Sequence, residues 1–307
     1  MNKLNDNTRV SIIIPTFGRG ATLQRALESV GSQTYNNIEI IVVDDNGDDI
    51  QCSKKVLEII EEIQLSLKFE IKLVKNKINL GGAGARNEGL KIATGKYISF
   101  LDDDDEIFPT KIEKQVLLME SEENIALTYC YTKTVIDDEN DSTVIFTKND
   151  FKGNCLKELL LDGTIAATSQ WLCRKSSLEE IKGFDNVPSK QDSTLIMKLL
   201  EEGYIIDRVP EILSVYHVQR NNSISTSQKS KIGLKIYRDR CRRHYNLLSN
   251  NEIKLVEYRF AEEMYIKCYK NDKKNKKESF LLMKKNRLFY AYYKKIYLYF
   301  FFLKHKV

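Results

Sequence analysis

The chain has 307 residues, 42% hydrophobic and 30% charged, with 16 tyrosines and 13 phenylalanines; that much buriable side chain excludes a disordered protein and allows one large α/β domain with an appendage, or two modest domains. Its 48 Lys and Arg against 43 Asp and Glu leave a formal charge of +5, too small an excess to point to nucleic acid as a partner. Six scattered cysteines, Cys52, Cys130, Cys155, Cys173, Cys241 and Cys268, form no C-x-x-C pair, which argues against a zinc or dithiol site and reads as reduced thiols in a cytoplasmic protein.

Val10 to Ile14 is a β-branched run closed by Pro15 and predicts a buried strand ending in a turn. Ala21 to Gln33 carries apolar residues at helical spacing, and Ile38 to Val43 predicts a second strand ended by Asp44-Asp45-Asn46-Gly47. An amphipathic helix follows from about Cys52 to Leu65, then a third strand over Ile71 to Val74 and a helix over Ala83 to Ala93, entered through Gly81 and Gly82. Tyr97 to Leu101 is a fourth strand that runs directly into Asp102-Asp103-Asp104-Asp105. Beyond Pro109 the pattern predicts a helix to about Ser121, a strand over Ile125 to Val135 and a polar loop over Asp137 to Thr143. Helices over Phe151 to Leu161 and Leu195 to Glu202 and a late strand over Ile205 to Val209 complete this part. From about Ser227 the chain turns helical and Lys-rich with interspersed Tyr and Phe, which divides it into 1–226 and 227–307.

Strands alternating with helices at this spacing imply a mostly parallel central sheet flanked by helices. Ligands of such sheets sit beyond the carboxyl ends of the strands. Pro15-Thr16-Phe17, Asp44-Asp45 and the four aspartates all fall there.

Four adjacent carboxylates repel one another unless a cation offsets them, and oxygen donors of this kind suit Mg²⁺ or Mn²⁺ together with phosphate oxygens. In an extended chain Asp102 and Asp104 would share one face, opposite Asp103 and Asp105. The alternative is a solvated acidic turn or helix cap. An EF-hand loop starting at Asp102 fails because its sixth position, which needs glycine, is Ile107. A dinucleotide fingerprint over Gly82-x-Gly84 fails because Asn87 stands where the third glycine belongs. The glycine-rich helix entry can still bring Arg86 and backbone amides to a phosphate; tight packing of the helix on the sheet is the competing explanation.

Four segments in this order resemble family 2 of the inverting glycosyltransferases with the GT-A fold: Val10 to Phe17, Val42 to Asn46, Gly81 to Gly89, and Gly95 to Asp105. The resemblance implies that Pro15, Thr16 and Phe17 line the nucleoside site and that Asp45 accepts a hydrogen bond from the base, most often uracil in the family. Asp102 and Asp104 match the family's D-x-D element, Asp104 as metal ligand with Asp102 as a second candidate for that role, and Asp102 or Asp103 near the ribose. After the Gly183-Phe184-Asp185 step the family places its general base, here Asp192 beside Gln191 where many relatives have Glu-Asp; a helix N-cap is the other role open to Asp192. Trp171 falls in the stretch that the family runs beneath the acceptor, where an aromatic face suits a sugar ring, though a lone Trp is as readily core. Relatives often carry a His after the late strand for metal or diphosphate. Gln219 aligns with it here, leaving His217, Gln219 and Arg220 as candidates.

The resemblance implies a single displacement on a nucleotide-sugar donor with UDP as the leaving group: Asp192 deprotonates a saccharide or lipid-linked acceptor while a divalent ion, Mn²⁺ or Mg²⁺, meets the diphosphate. No Ser-His-Asp or Cys-His arrangement supplies a covalent nucleophile. The polar stretch 1–9 lacks the apolar segment of a secretory signal, and nothing reaches the roughly 20 apolar residues of a transmembrane helix. Residues 281–307 mix Lys and Arg with Tyr and Phe, a makeup for the inner membrane surface or for packing on the catalytic domain or a second copy of it, a homodimer. A different class of protein is also open: a non-catalytic nucleotide-sugar-binding partner subunit, for which Gln191 and the absent His are the hints. A nucleotidyltransferase would need a fuller glycine-rich basic loop than Gly18-Arg19-Gly20.

Overall fold

A computed structural model describes residues 8–138, 141–219, 228–265, 277 and 279–285. The chain divides into two compact units, the first of residues 1–156, 164–186 and 191–222 and the second of residues 157–163, 187–190 and 223–307. The boundary expected at residue 227 lies outside the described residues, as do 286–307 of the basic aromatic tail.

The first unit opens as four parallel strands. β1 (Val10–Thr16) pairs with β2 (Ile38–Asp44) and β4 (Tyr97–Phe100), and β2 pairs with β3 (Ile71–Lys75). Their connections are α1 (Gly20–Gly31), α2 (Ile50–Gln64) and α3 (Gly81–Ile92). Because successive strand residues face opposite ways, Ile12, Ile14, Ile40 and Val42 form one buried face with Leu23 and Leu27 of α1 and Val56 and Ile60 of α2. The other face carries α3 at close range: a Cβ on Gly89 would lie 2.5 Å from Ile13 Cγ2.

The sheet then becomes mixed. β5 (Glu106–Ile107), α4 (Lys111–Ser121), β6 (Ile125–Asp138), β7 (Asp141–Thr147), β8 (Leu172–Arg174) and β9 (Ile205–Gln219) extend it in the order β3-β2-β1-β4-β8-β6-β9-β5, with β7 on β6. β8 runs antiparallel to β4 and β6, while β6 and β9 are parallel. Two expectations are corrected. The polar segment 137–143 is largely strand, because β6 and β7 pair from Thr132↔Thr147 to Asp138↔Asp141. The late strand does not stop at Val209 but continues to Gln219 along β6.

Of the remaining helices, α5 (Leu156–Asp162) is shorter than the predicted 151–161, and α6 (Lys175–Glu180) and α7 (Gln191–Glu201) follow. In the second unit, α8 (Gln228–Arg242) and α9 (Asn250–Glu263) are joined by Glu257, which pairs with Arg238 and with Arg242 at 2.9 Å. Among the described residues no helix is long and apolar enough to cross a membrane.

Candidate active site

The four aspartates leave β4 and turn at once, the amide of Asp105 donating to the carbonyl of Asp102 at 3.0 Å. A tight turn groups side chains differently from an extended chain. Asp103 and Asp104 share Arg19, whose Nη1 is 3.5 Å from Asp103 and pairs with Asp104. Asp102 and Asp105 share the segment 168–169 instead: Thr168 Oγ1 donates to Asp102 at 3.3 Å and Ser169 Oγ to Asp105 at 2.5 Å. The alternating arrangement expected of the run is thus corrected to first-with-fourth and second-with-third.

None of this run splays into solvent. Asp103 and Asp105 are 6% and 1% exposed. Burial pushes Asp103 up to about 6, against the hydrogen bond from Thr16, with Asp104 adding repulsion. Burial also raises Asp104, opposed by Arg19, and raises Asp105 well above the ordinary carboxylate range with Asp102 contributing.

The turns after β1 and β2 reach the run from one side. Thr16 Oγ1 donates to Asp103 at 2.7 Å, the Asp45 amide donates to Thr16 O at 2.9 Å, and the Gly18 amide to Asn46 Oδ1 at 2.7 Å. Pro15 is still inside β1, paired with Val43, and Phe17 is exposed just beyond. Asp45 requires a correction. It is 3% exposed, and its carboxylate already accepts from Asn76 Nδ2 at 2.7 Å, the Leu80 amide at 2.9 Å and the Gly81 amide at 2.8 Å. Three of its roughly four acceptor sites are thus filled by the protein, which ties β2 to the start of α3 and commits the buried carboxylate to that junction, not to a base as expected.

From the other side comes α3. Arg86, 8% exposed, pairs with Asp102, donates to Gln191 Oε1 at 3.3 Å and lies 5.6 Å over the Phe184 ring. A Cβ on Gly82 would stand 3.0 Å from Arg86 Nη1 and 3.3 Å from Gln191 Oε1, so the missing side chain leaves room for that bridge. Asn87 holds the next step: its Nδ2 donates to Phe184 O at 2.8 Å and its Oδ1 accepts the Phe184 amide at 2.9 Å. Gly183 meets this clamp at φ 63°, in the left-handed region that favours glycine. Lys198 Nζ completes the anchor, donating to Gly183 O and to Asp185, each at 2.7 Å. Gln191 and Asp192 then open α7, both partly exposed, with Asp192 accepting the Ser193 amide at 2.7 Å.

Trp171 is a second correction. It has 0% exposure and stacks on Phe184 with centroids 6.4 Å apart and planes 12° from parallel. Its ring is core and has no face to offer a sugar.

His217 lies within β9, where Nε2 is 2.7 Å from Glu106, a carboxylate shared with Arg25 Nε at 3.2 Å. Its backbone amide donates to Asp105 at 3.3 Å. Only the strand position of Gln219 is described, and Arg220 lies outside the described residues. Tyr216, which the sequence did not single out, shares a cavity wall with Asp105; partial burial raises its hydroxyl, with the charges of Asp105, Asp102, Asp104 and Asp192 contributing. Arg19, Asn87, Thr168 and Ser169 also escaped sequence reasoning. Two of them carried a signal, Arg19 by its place just past the first strand and Asn87 by its place in the segment Gly81 to Gly89.

Among the described residues no group of three or more His, Cys, Asp or Glu side chains is arranged to hold a metal ion. Asp102 and Asp104 nonetheless keep side-chain exposures of 30% and 21%, beside carboxylates whose burial resists ionisation. Each is also paired with an arginine, Asp102 with Arg86 and Asp104 with Arg19, so Mg²⁺ or Mn²⁺ would share these hard oxygen donors with a guanidinium while phosphate and water complete its shell.

Comparison with known proteins follows the same lines. The profile of glycosyl transferase family 2 matches residues 11–182. An uncharacterized glycosyltransferase of Methanocaldococcus jannaschii is 29% identical over 229 residues, 74% of this chain and 77% of that protein. The UDP-Glc:alpha-D-GlcNAc-diphosphoundecaprenol beta-1,3-glucosyltransferase WfaP of Escherichia coli is 41% identical over 138 residues, 45% of this chain and 51% of that protein. The structure of the mannosyltransferase PcManGT of Pyrobaculum calidifontis, in complex with GDP-Man and Mn2+, superposes with TM-score 0.58 and 18% identity, covering 92% of this chain and 83% of that one. That last likeness is one of architecture, the GT-A fold.

Proposed function

Because this chain belongs to glycosyl transferase family 2, we propose that it moves a sugar from a UDP-linked donor, with inversion at the anomeric carbon, to a hydroxyl of a growing cell-surface glycan or its lipid-linked precursor. Membership makes it a glycosyltransferase; donor, stereochemistry and acceptor are inferred from its site and from what its relatives are named for. The UDP-Glc and diphosphoundecaprenol in the name of the E. coli relative support both ends of the reaction.

One observation carries the reading. Arg86 joins Asp102 to Gln191, and so brings the helix start that holds Asp192 to the acidic run. A base and a leaving-group site must share a cleft for in-line displacement, and this bridge couples them. Pro15, Thr16 and Phe17, with Asp102 and Asp103, line the nucleotide. Asp192 accepts the proton of the acceptor hydroxyl as it attacks. A Mg²⁺ or Mn²⁺ ion bound through Asp104 would supply charge for the departing diphosphate, and the Mn2+ of the PcManGT complex supports that assignment. Arg19 and Arg86 add fixed positive charge on either side of the run. The basic, aromatic tail 281–307 suits the inner membrane surface, where a lipid-linked acceptor would be met.

A thermal-shift screen of UDP-, GDP-, CDP- and TDP-sugars with and without Mn²⁺ tests the reading. UDP-sugars are expected to raise the melting temperature only with the metal, and Asp104→Ala to remove the shift. Stabilisation by another nucleotide class would overturn the UDP assignment. Binding of UDP with no donor consumed on any acceptor extract would favour the non-catalytic partner subunit.

A further inference from the structure

Among the described residues, two other than glycine have φ in the left-handed region, Lys182 at 60° and Lys190 at 61°. Lys182 stands two residues past the end of α6, where helices commonly stop in that conformation. Lys190 stands at the opposite kind of place, immediately before α7, where the flanking residue ordinarily has extended backbone angles. A left-handed φ is unfavourable for a residue with a long side chain, so it persists only where the surroundings impose it.

The constraint on Lys190 lies within the second unit, to which residues 187–190 belong. Its Nζ pairs with Glu263, the last residue of α9, at 2.9 Å and lies 5.9 Å over the ring of Tyr237 on α8. The two side chains of this ion pair are only 23% and 16% exposed, so salt screens it weakly. Ser189 is fixed beside it. Its Oγ donates to Ser230 O at 3.1 Å, and a Cβ on Gly233 would lie 2.6 Å from its backbone nitrogen and 2.8 Å from its carbonyl oxygen. Glycine at 233 is therefore what lets α8 meet the backbone of Ser189.

Two consecutive residues are thus held by α8 and α9, and the chain then passes directly to Gln191 and Asp192 in the first turn of α7. The peptide after Lys190 is planar and rigid, so the backbone angles at Lys190 set the direction in which α7 starts. We propose that Lys190 is a positioning residue: its grip by Glu263 and Tyr237 maintains the left-handed turn that aims Asp192 at the attacking hydroxyl. The assignment rests on the reading of Asp192 as the base.

Release of UDP by the full chain from UDP-glucose, UDP-galactose and UDP-N-acetylglucosamine, with Mn²⁺ and with water and methyl glucoside as acceptors, tests it. The acceptor oxygen bonds to the anomeric carbon, its proton passes to Asp192, and the bond from that carbon to the diphosphate oxygen breaks. Lys190→Met is expected to slow release about 10- to 100-fold with the dissociation constant for UDP unchanged. Adding Lys190→Met to Asp192→Asn is expected to slow release no further than Asp192→Asn alone, because two residues that act as one unit are not additive. Glu263→Gln, which breaks the same pair from α9, decides by the same comparison where Lys190→Met does not fold. Equal losses with and without Asp192, or full release in a folded variant of either residue, overturn the positioning role. A wild-type chain that releases no UDP, or an Asp192→Asn variant that keeps full release, overturns the parent reading instead.

Discussion

Thr16, the last residue of β1, donates its hydroxyl to Asp103 Oδ2 at 2.7 Å and thereby joins the turn after the first strand to the acidic run after the fourth. Burial holds Asp103 at about 6 despite that bond, above the roughly 3.9 of a free aspartate. Between those values the folded chain keeps a proton that the unfolded chain has released. Stability from this group is therefore fully present below about pH 4 and is lost as pH rises through 6. In melting curves without nucleotide or metal, Asp103→Asn should flatten the decline from pH 4 to 7. Thr16→Val should lower stability by about 1–3 kcal/mol and carry the decline to higher pH, because the lost hydrogen bond favoured the charged form.

Arg86 touches Asp102 and Gln191 with the two ends of one fork. A lysine has a single ammonium and cannot hold both. Arg86→Lys should lower kcat/KM by about tenfold or more and reduce the melting temperature. Steady-state kinetics and calorimetry on the same preparation check both effects.

Asp192 stands partly exposed in the first turn of α7. If it receives the acceptor proton, Asp192→Asn should cut transfer by about 10²–10⁴-fold with the dissociation constant for UDP unchanged. Isothermal titration with UDP and a radiolabelled transfer assay separate the two quantities, and full turnover in the variant would remove Asp192 from the mechanism.

Lys111 is fully buried, donating to Ser99 Oγ at 3.2 Å and Trp171 O at 3.1 Å, and burial lowers its ammonium to about 8. The unfolded chain binds that proton up to a higher pH, so the penalty is complete below about pH 8 and relieved as pH rises toward about 10.4. Lys111→Met should raise stability at pH 7 by about 1–3 kcal/mol and remove the rise between pH 8 and 10. Trp171 O keeps the Ser99 hydroxyl at 2.9 Å in that variant.

The first hundred residues were legible because each element announces itself locally. The apolar runs at Val10, Ile38 and Tyr97, the amphipathic helices between them and the aspartates after the fourth strand depend on period and composition alone, which the chain carries in order. The antiparallel half was not. β7 reads as polar loop because both ends of its hairpin are acidic, and β8 is three residues long; each exists only through its partner strand.

The sequence by itself determined the family, the alternating α/β plan and the presence of a carboxylate cluster at a strand end. Tertiary structure decided what each carboxylate does: Asp45 accepts the Leu80 and Gly81 amides at the start of α3, Asp103 and Asp104 share Arg19, and Asp102 reaches Arg86. It also took Trp171 into the core and placed Tyr216 on a common wall with Asp105. The physical reason is that a side chain's charge state and availability follow from the donors and burial around it, and those neighbours lie tens of residues away along the chain.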